Sequence, residues 1–299
     1  MILTATLPLF ALICLGYALF RAGLPDRAFW PAAERLNYVV LFPALLVANL
    51  ADAPLDDPAI LQLGGAAVLT ILIAAGALWA GRALRPMPAA RFGPVLQGTV
   101  RFNTYIGLAL VASLLSQDGI AIAGVYLAVA VPLVNVLSVI ALSGGRGVGI
   151  AALLRPIVTN PLILGCAVGI AIALTGLPLP DIATRFLDLL AAASLPLGLL
   201  CVGAALRPRS LGGDTVTLLA TSALRLLAMP ALAVAMAAVL GLPRTEASVL
   251  VIFSAIPTAA SAYVLTQEMR GDARLMAGLV TLQTMLSVLT IPLVTALIA

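Results

Sequence analysis

Apolar runs of roughly twenty residues follow one another along this chain, separated only by short clusters of glycine, proline and charge. Runs of that length leave lipid as the solvent for most of the side chains. Lipid offers no hydrogen-bond partner to an open backbone, so every spanning run has to be helix. Composition agrees: 63% of residues are hydrophobic and 9% are charged, where a soluble domain carries about 25% charged residues. The sequence therefore predicts an all-α integral membrane protein. Its ten transmembrane helices fall near 2–22, 31–51, 59–81, 93–116, 120–142, 156–176, 182–206, 214–241, 245–268 and 273–298. No room remains for a soluble domain. Met1-Ile2-Leu3 enters an apolar run without a basic region before it, so no cleavable leader is expected.

The placement of charge orients these spans. All 16 basic residues are arginine. The loops after spans 1, 3, 5, 7 and 9 hold Arg21, Arg27, Arg35, Arg82, Arg85, Arg91, Arg146, Arg155, Arg207, Arg209, Arg270 and Arg274. The other loops hold only Arg185 and Arg244, and the 52–57 loop is acidic through Asp52, Asp56 and Asp57. Arginine-bearing loops stay in the cytoplasm, so both termini are expected on the outer side. The pI near 9.3 follows from these loop arginines and does not call for a nucleic-acid partner.

The chain also repeats itself. A shift of 153 places Pro8 on Pro161, Gly16 on Gly169, Gly23-Leu24-Pro25 on Gly176-Leu177-Pro178, and Pro43 on Pro196. A shift of 154 places Asp118 on Asp272 and Ala123-Gly124 on Ala277-Gly278. Each half holds five spans. An odd number makes the second half enter the membrane from the opposite side, which is an inverted repeat of the kind that supports alternating access. The expected division is 1–142 and 156–299, joined by a short linker at 143–155.

Two stretches interrupt the apolar pattern. In Phe253-Ser254-Ala255-Ile256-Pro257-Thr258-Ala259-Ala260-Ser261 the proline removes a backbone donor and pushes Ile256 out of helical geometry. Arg101-Phe102-Asn103-Thr104-Tyr105 puts a polar segment between Gly98 and Gly107. The shift of 154 brings Asn103 onto Pro257, so both breaks occupy equivalent places, in spans 4 and 9. Broken helices near the bilayer midplane commonly mark a transporter's binding site.

Four stretches together resemble the auxin efflux carrier family, which includes plant auxin carriers and bacterial dicarboxylate permeases. They are Leu36-Asn37-Tyr38-Val39-Val40-Leu41-Phe42-Pro43, Phe102-Asn103-Thr104-Tyr105-Ile106-Gly107-Leu108, Asn160-Pro161-Leu162-Ile163 and Ile256-Pro257-Thr258-Ala259-Ala260-Ser261-Ala262-Tyr263. The resemblance runs the length of the chain. It implies the architecture of bile-acid symporters and sodium/proton antiporters, in which broken spans 4 and 9 cross at the substrate. It further implies a scaffold of spans 1, 2, 6 and 7, an elevator motion of spans 3–5 and 8–10 against it, a homodimer, and a bacterial plasma-membrane location. Two features depart from the family: the long hydrophilic loop of the plant carriers shrinks to Ser143–Arg155, and Ala109 stands near the place of a span 4 proline.

Polar residues inside the spans give the candidate site. Stripes at helical spacing run through Gln97, Arg101 and Thr104, through Asp214, Thr217, Thr221 and Arg225, and through Gln283, Ser287 and Thr290. Polar faces in a bilayer turn toward protein or water. Asn103 can donate to a carboxylate and accept from a backbone amide. Arg225 lies roughly 16 Å into its span, where an arginine costs at least ~2.5 kcal/mol; it requires a partner, a cavity or an anionic ligand, and the carbonyls of helix ends at a crossover compete with the ligand for it. Arg101, Thr104, Tyr105, Asn135, Pro257, Thr258 and Ser261 complete the expected substrate set. With no histidine, no paired cysteines among Cys14, Cys166 and Cys201, and scattered carboxylates, enzymatic chemistry, a cofactor and a metal site are not expected. The sequence reads as a secondary transporter of a small organic anion. Sodium coupling is the alternative within transport, although the span 9 break holds no acid to ligate the ion; a non-transporting membrane sensor is the alternative outside it.

Overall fold

The computed structural model describes residues 2–51, 58–144, 149, 155, 158–176 and 179–298. The acidic 52–57 loop and most of the 143–155 linker lie outside the described residues. Among the described residues the fold is all helix: α1 (Ile2–Ala22), α2 (Phe29–Leu50), α3 (Pro58–Leu84), α4 (Ala89–Val100), α5 (Thr104–Leu114), α6 (Ser116–Ser143), α7 (Pro161–Thr175), α8 (Asp181–Ala205), α9 (Thr215–Leu240), α10 (Arg244–Ala255), α11 (Ser261–Glu268) and α12 (Ala273–Ile298). A short 3-10 turn, Pro208–Gly212, links α8 to α9. Single π turns interrupt α2 at Asn37–Leu41 and α9 at Leu224–Ala228. Among the described residues, seven helices are long and apolar enough to cross a membrane, namely α1, α2, α3, α6, α8, α9 and α12, and α7 is a shorter apolar helix. The protein is an integral, multi-pass membrane protein.

The stretches read as spans 4 and 9 are each two short helices. The first is α4 then α5, interrupted at 101–103; the second is α10 then α11, interrupted at 256–260. Arg101 and Ile256 close α4 and α10 in nearly the same extended conformation, φ −76° and ψ 154° against φ −78° and ψ 155°. Pro257 accounts for the second break. The first has no proline, and it forms because side chains take over the backbone groups that the break releases.

Helices α1, α2, α7 and α8 pack on one another, and the remaining helices gather around α6, α10 and α12. Glycine sets the closest approach in the first group. A Cβ on Gly203 of α8 would lie 1.9 Å from the Ile13 carbonyl oxygen of α1, and one on Gly16 of α1 would lie 2.1 Å from Leu200 O of α8. Gly169 of α7 is packed in the same way on Leu46 and Leu50 of α2. Asn37 and Ser194 tie α2 to α8 by two bonds of 3.0 Å, Asn37 Nδ2 donating to Ser194 O and Ser194 Oγ donating to Asn37 Oδ1. Because the obstacle at Gly203 is backbone, it cannot rotate away. Gly203→Ala is expected to force the helices apart and cost about 1–3 kcal/mol, measured as a lower thermal midpoint of the purified protein. A midpoint equal to wild type would contradict this packing.

In the second group, Phe102, Tyr126 and Phe253 form a buried aromatic cluster, with Tyr126 stacked on Phe253 at 4.7 Å between ring centroids. At its rim, Asp214 caps α9 by accepting from the Thr217 amide and hydroxyl at 3.1 and 2.7 Å and pairs with Arg91. The Thr217 hydroxyl, the Thr217 amide and then the Arg91 guanidinium hold the Asp214 carboxyl below the usual carboxylate range.

Candidate functional site

The two breaks meet. Asn103 N donates to Pro257 O at 2.8 Å, joining the middle of one interruption to the middle of the other. Around this contact the orphaned backbone groups of three helix ends, those of α4, α5 and α10, find partners, as buried polar groups must. Asn103 Oδ1 accepts from Tyr105 N and Ile106 N at 3.1 and 3.3 Å and so caps α5. Gln283 of α12 bridges both breaks, accepting from Thr258 N and donating to Gly98 O, each at 2.9 Å. Thr258 Oγ1 donates to Gln97 O at 3.1 Å. Gln283, from one polar stripe of the sequence, is thus a fitting of the crossing.

Beside the crossing lies a cavity of about 80 Å³ between the two helix groups. Arg101, Phe102, Asn103, Thr104 and Tyr105 line one wall, with Asn135 of α6 and Ala259, Ala260 and Ser261 of the second break. The opposite wall is Glu34, Tyr38 and Phe42 of α2, Asn160 and Leu162 of α7, and Val202 of α8. Glu34, Tyr38, Arg101, Asn135, Asn160 and Ser261 also line a vestibule of 560 Å³ that continues outward past Arg35, Thr159 and Glu268.

Arg101 and Asn103 each keep an uncommitted donor at the crossing. Arg101 Nη2 donates to Ser261 Oγ at 3.2 Å, but Arg101 Nη1 is buried without a hydrogen-bond partner. No carboxylate lies within ion-pair distance of it among the described residues. Asn103 is 2% exposed; with its oxygen committed to the α5 cap, its amide NH₂ is the end left to a ligand. An arginine fork, an amide donor and the N-terminus of α5 are groups whose chemistry suits a carboxylate.

Of the sequence-predicted residues, Asn103, Arg101, Thr104, Tyr105, Asn135 and Ser261 line the cavity. Pro257, Thr258 and Arg225 do not. Pro257 and Thr258 spend their polar groups inside the crossing, as described. Arg225, 1% exposed, donates to Ile256 O at 2.7 Å, to Thr99 O at 3.1 Å and to Phe253 O. Of its two expected roles, the helix-end one is what this geometry holds.

Glu34, Tyr38 and Asn160 are lining residues that the candidate set lacks. Tyr38 Oη donates to Asn160 Oδ1 at 3.2 Å, and the same oxygen accepts from Leu162 N at 2.9 Å to cap α7. Glu34, Tyr38 and Phe42 recur at intervals of four residues, a one-face spacing that could have marked them.

Comparison with known proteins agrees with this picture. Residues 148–295 match a family described as membrane transport protein. An "Uncharacterized transporter" of Methanothermobacter thermautotrophicus is 26% identical over 297 residues, covering 96% of this chain and 95% of its own length. Broken helices that meet beside a donor-lined cavity in an all-helical membrane protein are in keeping with that likeness: the second half of the chain resembles the membrane transport protein family, and the whole length resembles a transporter.

Proposed function

We propose that the protein is a secondary carrier of a small organic anion, bound by its carboxylate between Arg101 and Asn103. The observation that carries this reading is the pair of uncommitted donors at the crossing: the buried, unpartnered Nη1 of Arg101 and the free amide of Asn103. A buried cationic nitrogen that makes no hydrogen bond is costly to retain in a stable fold, and an anionic substrate supplies what it lacks. Protein-dependent flux of a carboxylate into liposomes, surveyed over dicarboxylates and indole acids, tests the reading. Absence of flux for the whole panel favours a sensor.

The same reading arranges the chain as ten crossings in two inverted halves, 1–142 and 156–299. Its support is that helix ends recur at a constant offset. Ala89–Val100 becomes Arg244–Ala255, and the ends at Leu50 and Ser143 become those at Ala205 and Ile298, all 155 residues on. In that register Asn103 corresponds to Thr258, one residue from the sequence alignment. Equivalent glycines, Gly16 and Gly169, make equivalent close contacts, α1 with α8 and α7 with α2. Helices α1, α2, α7 and α8 are then the scaffold, the rest the moving group, and the site between them opens and closes by an elevator motion. The vestibule leaves the site toward the arginine-bearing loops, so this conformation is the inward-open one, in a bacterial plasma membrane with both termini outside. The exposed row Ile182, Phe186 and Leu189 on α8 suits a homodimer contact through spans 2 and 7. In a cysteine-free background, single cysteines at Ser143 and Ser210 should be labelled only from the cytoplasm and one at Asp56 only from outside, while one at Leu189 should cross-link two copies. Labelling at Asp56 from the cytoplasm would invert the orientation, and a Leu189 variant that stays monomeric would move the dimer contact.

A further inference from the structure

The far side of the crossing presents a second charge that the cavity does not use. Arg225 projects from the π turn Leu224–Ala228 of α9, and all three of its hydrogen bonds go to backbone carbonyls. Thr99 belongs to the last turn of α4; Phe253 and Ile256 belong to the end of α10. The C-terminus of a helix carries about half a negative elementary charge, so two converging ends present roughly one negative charge to one guanidinium. No carboxylate pairs with Arg225 among the described residues. The fork shape matters too, because a planar guanidinium can reach three oxygens in different directions where a point charge cannot.

Converging backbone carbonyls in a dry interior are also the ligand set of a hard monovalent or divalent cation. In this molecule the guanidinium already occupies those oxygens. We propose that Arg225 is the permanent counter-cation of the crossing, a positioning residue that holds α4 and α10 end to end and removes the need for a bound Na⁺. The transport consequence rests on the carrier reading above. The stability consequence does not, because it can be measured without any substrate.

The test compares wild type with Arg225→Ala and Arg225→Lys, each purified in detergent and melted in NaCl or in choline chloride at equal ionic strength. Wild type is expected to melt at the same temperature in both salts. Arg225→Ala is expected to melt several degrees lower and to recover part of the loss with millimolar guanidinium, which fits the vacated space. Arg225→Lys is expected to fall between the two, since an ammonium reaches fewer of the carbonyls. In liposomes, uptake by wild type is expected to be unchanged when choline replaces Na⁺. A wild-type midpoint or uptake that drops without Na⁺ overturns the proposal. So does an Arg225→Ala defect that neither guanidinium nor lysine relieves, since that assigns Arg225 to packing alone. If wild type moves no organic acid at all, the carrier reading fails while the melting data still decide the role of Arg225.

Discussion

Asn103→Asp is expected to fold as well as wild type and to lose anion transport. The substitution keeps an oxygen where Asn103 Oδ1 caps α5, and a negative charge at a helix N-terminus is favourable. It replaces the amide NH₂ with a second anionic oxygen facing the substrate carboxylate, turning a donor into a repulsion. Asn103→Ala separates the two roles in another way. It removes the cap, costing about 1 kcal/mol, and removes the donor without adding charge. A hydrogen bond to an ionised group contributes about 1.5–3 kcal/mol, so kcat/KM for transport should fall roughly 10- to 100-fold. The backbone bond from Asn103 N to Pro257 O survives both changes, so the crossing itself stays joined. Melting curves and initial uptake rates on the same preparations check the expectation. Uptake by Asn103→Asp at the wild-type rate and affinity would move the site elsewhere.

Arg101 and Arg225 should part company in the same pair of measurements. Arg101 makes a single side-chain hydrogen bond, to Ser261, and leaves Nη1 unpartnered. Removing it relieves an unmade hydrogen bond and a buried charge. Arg101→Ala is therefore expected to melt at or above the wild-type temperature while KM for the anion rises about tenfold or more. Arg101→Lys should retain charge but lose the fork, with KM between the two. Arg225→Ala, by contrast, strands three carbonyls at once and should lose stability. A fall in the midpoint of Arg101→Ala comparable to that of Arg225→Ala, with KM unchanged, would mean that Arg101 holds the fold and not the ligand.

These contrasts also mark what the sequence could and could not say. Helical class and the apolar runs followed directly from hydropathy, because lipid leaves the backbone no other choice. The break at 256–260 was legible because proline deletes a donor at a fixed place. The break at 101–103 was legible only as a polar segment, since what opens it is long-range: Gln283 from α12 and Arg225 from α9 hold the carbonyls it frees. Depth placed Arg225 near the midplane but could not choose between ligand and helix ends, because that choice depends on which backbone passes nearby. The same limit hid Glu34, Tyr38 and Asn160. They come from α2 and α7, and only the packing of one helix group on the other brings them opposite Asn103. Span ends shifted where caps intervene: α7 starts after Asn160, its cap, later than the expected 156.

The central claim, that the donors at the crossing bind a carboxylate in order to carry it, meets its most direct test in proteoliposomes. Uptake of a labelled small dicarboxylate should be measured in Na⁺-free choline buffer for wild type, Asn103→Asp and Arg101→Ala. The account predicts saturable uptake by wild type, no uptake above empty liposomes for Asn103→Asp, and uptake with a raised KM for Arg101→Ala. Uptake that is equal in all three proteins would contradict it.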